Sequence, residues 1–179
     1  MADTLRLFAA LELPPAAREA LAAFRDAADP AVWRPVRDEA LHVTLAFLGA
    51  RPAGEVAAIG AALARCAGGA PPLAFGAPLL LPPRRARVLC AEVADASGAL
   101  GRLQACVAAA LVDEGVLEPE RRPFRAHATV ARLRPGARPP RQAPAGGPAP
   151  LDFRGEWLTL YRSRPGAVYE PLARVPLGS

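Results

Sequence analysis

The chain has 179 residues, enough for one substantial domain or for two small lobes that share an interface. Its net charge of +5 and pI near 10.0 point weakly toward polyanionic partners. All 22 basic residues are Arg, and the absence of Lys excludes a Schiff-base or pyridoxal lysine, a Walker-type phosphate lysine and the lysyl-nucleotide intermediate of ATP-dependent ligases.

Residues 5–13, LRLFAALEL, read as a strand, and Pro14-Pro15 open an amphipathic helix over about 15–27. A turn at Asp29-Pro30 leads to Trp33 and then to a strand from Leu41 to Leu48, ended by Gly49. Val56, Ile59, Leu63 and Cys66 have helical spacing and define a second helix over 53–66. Residues 73–81 and 87–94 form a strand pair across the Pro82-Pro83-Arg84-Arg85 turn. A third helix over about 97–114 carries Leu100, Leu103, Val107 and Leu111 on one face. After a charged turn at 118–123 comes the strand Arg125 to Leu133. The Pro/Gly/Arg-rich stretch 134–150 has no periodicity and is read as a mobile surface loop. Two strands, about 151–162 and 168–175, close the chain around Pro165-Gly166. This succession of hairpins and helices is an α+β pattern with mainly antiparallel sheets.

No apolar run approaches the roughly 18 residues that a membrane span needs. The opening MADTLRLFAALEL lacks the basic head and cleavage site of a secretory signal, so a cytoplasmic location without membrane association is expected. Cys66, Cys90 and Cys106 are an odd number without close pairing. They fit a reducing compartment, offer no zinc-ligand spacing and are expected to be buried apolar fillers.

One repetition carries chemistry. His42-Val43-Thr44-Leu45-Ala46-Phe47 and His127-Ala128-Thr129-Val130-Ala131-Arg132 both set His-x-Thr at the head of a strand, 85 positions apart. The chain holds only two His and four Thr, so this coincidence points to two related lobes that each lend one strand to a shared cleft. Side chains at i and i+2 of a strand share a face, so each imidazole reaches the same space as its hydroxyl. Two imidazoles and two hydroxyls around one anion suit a phosphodiester, with one His taking a proton from water and the other giving one to the departing oxygen. Two His without convergent carboxylates or thiolates fall short of a metal-ligand set, so neither a metal nor a cofactor is expected. Arg132 is the best placed phosphate-binding arginine, five positions after His127 as Phe47 is five after His42. Strict alternation puts Phe47 and Arg132 on the face opposite the histidines. Either both are core or edge residues, or the strand bends and turns them toward a nucleoside.

These motifs carry a family resemblance over nearly the whole chain. LRLFAALELPP, WRPVRDEALHVTLAFLG, RPFRAHATVAR and SRPGAVYEPLARVPL resemble successive segments of the bacterial-type RNA 2′,3′-cyclic phosphodiesterases, also called 2′-5′ RNA ligases, of the 2H phosphoesterase superfamily. The resemblance implies a bilobal fold over residues 1–179, with two mainly antiparallel sheets flanking a central cleft and helices outside. It also implies hydrolysis of a terminal 2′,3′-cyclic phosphate to a 2′-phosphate. His42 would then be the donor to the leaving 3′ oxygen and His127 the base that activates water. Thr44 and Thr129 would hold phosphate oxygens, and Arg132 would match the arginine beside the second motif. Ala126, Ala128 and Val130 depart from residues common in that family, at positions that touch strand packing. The expected partners are RNA ends with a cyclic phosphate, and small cyclic nucleotides as a further class, bound by a monomer. ATP-independent 2′-5′ joining of RNA ends and RNA-end binding without turnover are the alternatives.

Overall fold

The alternating apolar residues of the first strand, Leu5, Leu7, Ala9 and Leu11, are all buried, and the rest of the sheet is laid down on either side of them. The computed structural model describes residues 3–178; Met1 and Ala2, the head of the stretch read for a signal, and Ser179 lie outside the described residues. The elements are β1 (Thr4–Glu12), α1 (Pro15–Asp26), β2 (Trp33–Pro35), β3 (His42–Pro52), α2 (Val56–Ala64), β4 (Pro72–Leu81), β5 (Val88–Ala94), α3 (Ala99–Asp113), β6 (His127–Leu133), β7 (Asp152–Arg154), β8 (Trp157–Arg164) and β9 (Val168–Pro176).

The strands run in the order β7-β4-β5-β6-β3-β1-β8-β9, with β2 added beside β6, and every neighbouring pair is antiparallel. This is the α+β arrangement of two antiparallel halves. The halves β9-β8-β1-β3 and β6-β5-β4-β7 meet edge to edge through one residue pair, Val43 with Ala128. Helices cover one face. On α1, Ala17, Leu21 and Phe24 are buried, as the amphipathic pattern requires, and α3 buries Leu100, Leu103, Val107 and Leu111. Each such leucine or phenylalanine taken out of water contributes about 1.5–3 kcal/mol before entropy is counted.

Three elements differ from the sequence reading. Gly49 does not end β3: with φ of 72° it sits in a bulge, and the strand runs on to Pro52, paired with Thr4. The final long strand divides into β7 and β8 around Gly155, where a Cβ would lie 2.5 Å from both methyl carbons of Leu11, so the chain crosses β1 where only glycine fits. Residues 134–150 contain no helix or strand, but the segment is held down: Arg134 Nε donates to the Pro30 carbonyl at 2.7 Å, and Pro148 is buried.

The cysteines are a correction. Cys90 is buried and free, but Cys66 and Cys106 form a disulfide with Cα atoms 5.8 Å apart. Cys66 follows α2 and Cys106 lies on α3, and it is the packing of these helices that joins residues 40 apart in sequence. Spacing along the chain cannot reveal such a pair, and the cysteine count loses its bearing on compartment. Closing a loop of this length removes denatured-state entropy equivalent to roughly 3–4 kcal/mol. Reduction with dithiothreitol should therefore lower the midpoint of denaturant unfolding, and Cys66→Ser should do the same without reductant. Equal midpoints in oxidised and reduced protein would show that the bond contributes nothing.

Candidate active site

The helix-free face carries the two His-x-Thr motifs. Antiparallel pairing of Val43 with Ala128, the middle residues of both motifs, sets His42 alongside Thr129 and Thr44 alongside His127. The four polar side chains alternate with these buried middle residues and point away from the core.

Both strands then break alternation at the same place. On β3, Thr44 pairs with Ala10 and Ala46 with Ala9, which leaves Leu45 as an extra residue. On β6, Thr129 pairs with Cys90 and Ala131 with Leu89, which leaves Val130 extra. Each bulge sends two consecutive side chains, Leu45 with Ala46 and Val130 with Ala131, to the buried side and returns the next residue to the histidine face. Phe47 and Arg132 therefore join the cleft, and simple alternation fails for a definite reason. Phe47 is no core residue: it is 73% exposed. The bulge carbonyls are satisfied from outside the sheet pairing. Leu45 O accepts from the Gln104 side chain of α3 at 3.4 Å, and Val130 O accepts from the Val36 backbone at 2.9 Å.

Both imidazoles are oriented by the carbonyl two residues upstream. His42 Nδ1 donates to Ala40 O at 2.8 Å and His127 Nδ1 donates to Arg125 O at 2.7 Å, so in each neutral ring Nε2 is the free base. Thr44 Oγ1 donates to His42 Nε2 at 3.0 Å. Burial pushes the His42 imidazole down to about 4; the bond to Ala40 opposes this, and the charges of Arg132 and His127 add to it. Thr129 Oγ1 shares a hydrogen bond with Cys90 Sγ at 3.5 Å. Burial pushes that thiol up to about 11, so Cys90 stays neutral and is no nucleophile.

The cleft around these residues has a volume of about 590 Å³. Its lining includes Arg6, Phe8, Arg132, Arg164 and Tyr169 and, among the described residues, no Asp or Glu. The Phe8 ring packs against His42 at 5.0 Å and stacks on Tyr161 at 5.2 Å, and Tyr169 meets His42 edge-on at 5.3 Å. Tyr169 OH also accepts from Arg132 Nη2 at 3.5 Å. Tyr161 is fixed in turn by donating to Glu12 Oε1 at 3.0 Å, beside Thr159 at 2.6 Å and Arg174. Burial alone would raise the Glu12 carboxyl, but these donors hold it below the usual carboxylate range. Sequence reasoning missed Arg6, Phe8, Tyr169 and Gln104. For Arg6 and Phe8 a signal exists, since they alternate along β1 with buried leucines; for Tyr169 and Gln104 only the tertiary structure brings them in. Among the described residues no three His, Cys, Asp or Glu side chains are grouped to hold a metal ion, and no helix is long and apolar enough to cross a membrane.

Paired His-x-Thr strands on one cleft of an antiparallel α+β sheet define the 2H phosphoesterases, enzymes of phosphodiester chemistry. The LigT-like phosphoesterase profile matches residues 11–90. E. coli LigT, in a structure complexed with 3′-AMP, is 26% identical with a TM-score of 0.78, covering 99% of this chain and 100% of that one. TT0787 of Thermus thermophilus is 31% identical with a TM-score of 0.77, covering 98% and 100%. The MHV ns2 PDE domain, 14% identical with a TM-score of 0.61 over 89% and 99%, shares the fold. No curated protein matches the chain. The chain belongs to the LigT-like phosphoesterase family.

The depressed His42 basicity ties stability to pH. The unfolded ring takes up a proton below about 6.5, whereas the folded ring resists until about 4. Stability should thus be complete above pH 6.5, fall as pH drops toward 4 and level off below it, a loss of up to about 3 kcal/mol. Urea unfolding of wild type and His42→Gln across pH 4–7 measures this. Parallel curves for the two proteins would refute it.

Proposed function

We propose that this chain hydrolyses the terminal 2′,3′-cyclic phosphate of RNA to a 2′-phosphomonoester by acid–base catalysis between His127 and His42. The observation that carries the reading is the pair of imidazoles, each pinned through Nδ1 to a carbonyl so that Nε2 is its reactive nitrogen, on a cleft lined by arginine and, among the described residues, by no Asp or Glu. Binding of 3′-AMP by E. coli LigT supports a nucleotide ligand. In this mechanism His127 Nε2, which has no hydrogen-bond partner among the described residues, takes a proton from water. The water oxygen bonds to phosphorus, the P–O3′ bond breaks, and His42 Nε2–H gives its proton to O3′. The product carries a 2′-phosphate and a 3′-hydroxyl, and proton exchange with solvent restores both rings. Thr44 and Thr129 donate to the non-bridging oxygens, Arg132 balances their charge, and Phe47 offers its exposed ring to the base. Both motifs come from one chain, so one bilobal domain acting as a monomer suffices, with no metal or cofactor.

A donor must hold a proton, and burial beside the charges of Arg132 and His127 disfavours one on His42. An anionic phosphate between His42, His127 and Arg132 offsets the two charges that help depress it and raises its proton affinity. The chain has only two histidines, so NMR titration follows each directly. The His42 ring should titrate near 4 in free protein and at higher pH with nucleoside 2′-monophosphate bound. A value unmoved by ligand would argue for the reverse assignment, with His42 as base.

The direct test is an RNA ending in a 2′,3′-cyclic phosphate. Wild type should yield a 2′-phosphate end, with or without EDTA, and His42→Ala or His127→Ala should each lower kcat/KM by roughly 10²–10⁴-fold. A 3′-phosphate product, or near-normal turnover in His127→Ala, would overturn the mechanism.

A further inference from the structure

The acid–base reading leaves one end of the cleft unused. Beyond Phe47 its floor follows β3 to Gly49, with β1 running antiparallel beside it: Glu12 lies opposite His42 and Arg6 opposite Ala50. Between them on the same face lies Phe8, whose ring packs against His42 at 5.0 Å, and Arg6 is the next residue of that face along β1. Arg6 shares a face with Phe8, and both line the cleft. It is exposed and, among the described residues, makes no hydrogen bond or ion pair, unlike the nearby arginines. Arg51 is bound to Glu55, and Arg164 donates through Nε and Nη2 to Glu170 at 2.8 and 2.7 Å. With no Asp or Glu lining the cleft among the described residues, Arg6 is a permanent cation that none of them neutralises, on the same wall as the exposed ring of Phe47.

The geometry points to a second phosphate subsite at Arg6, which takes an internucleotide phosphodiester upstream of the cyclic end and makes an oligoribonucleotide, not a free cyclic nucleotide, the preferred substrate. This rests on the cyclic phosphodiesterase reading above. A guanidinium beyond an exposed aromatic ring is the usual arrangement for following a single strand, with the ring taking a base and the cation a phosphate. With the cyclic phosphate at the histidines and its base at Phe47, the upstream strand is the part of an oligonucleotide left to meet Arg6.

The test compares kcat/KM for a tetraribonucleotide ending in 2′,3′-cyclic phosphate with that for a nucleoside 2′,3′-cyclic monophosphate. Wild type should favour the tetramer by about tenfold or more. Arg6→Gln should remove most of that preference, mainly through KM on the tetramer. It should also lower the salt dependence on the tetramer by about one phosphate contact. Arg6→Lys, which keeps the charge, should retain most of the preference. No preference in wild type, or an equal loss on both substrates in Arg6→Gln, would overturn the subsite. Affinity for a tetramer ending in 2′-phosphate separates the two readings. Binding weakened by Arg6→Gln but without turnover of any cyclic substrate would sink the catalytic reading and keep the subsite, whereas binding unchanged by Arg6→Gln would sink the subsite alone.

Discussion

One backbone pair, Val43 against Ala128, sets the register of the whole cleft. It joins two antiparallel half-sheets at the middle residue of each His-x-Thr, so the motifs lie head to tail across a local twofold axis. A slip of one residue at this seam would turn one imidazole and its hydroxyl into the core, because side chains alternate with period two. The seam is only one pair wide, so the strands diverge from it and leave room for a ligand between them. Its two residues are fully buried, so a slip there would disturb the core on both sides.

The bulges extend this register outward. Each converts a spacing of five, which would face the core, into a spacing that faces the cleft, and each releases a carbonyl that something else must satisfy. The two halves solve this differently: Gln104 reaches from α3 with a side chain, while Val36 uses a backbone N–H. The first motif thus depends on the identity of a residue 59 positions beyond Leu45, and the second depends only on the path of the chain through β2. Likeness within the cleft conceals unlike support behind it.

How much of this was legible in the sequence follows from the range of each interaction. His42, Thr44, His127 and Thr129 could be read because a strand places i and i+2 together whatever the fold. The helices could be read from Pro14-Pro15 and from the spacing of Ile59, Leu63, Leu103 and Val107. Phe47 and Arg132 could be placed in register with each other but not on a face, because a bulge is a property of two strands and leaves no mark on one. The Cys66–Cys106 bond, the break at Gly155 and the anchoring of 134–150 likewise depend on contacts between distant segments. The opposed demands on His42, a donor role from family likeness and a depressed basicity from burial, become visible only once its neighbours are known.

The all-arginine composition acquires a meaning at the cleft that it lacks in the sequence. Guanidinium groups keep their charge at any pH a protein survives; the chain has no lysine, and among the described residues no Asp or Glu lines the cleft. The buried Cys90 thiol and the Tyr161 hydroxyl are both pushed upward, away from neutrality. The electrostatic background against which a phosphate binds is therefore constant. Against that constant background, the group whose charge burial has tied to its surroundings is the His42 ring.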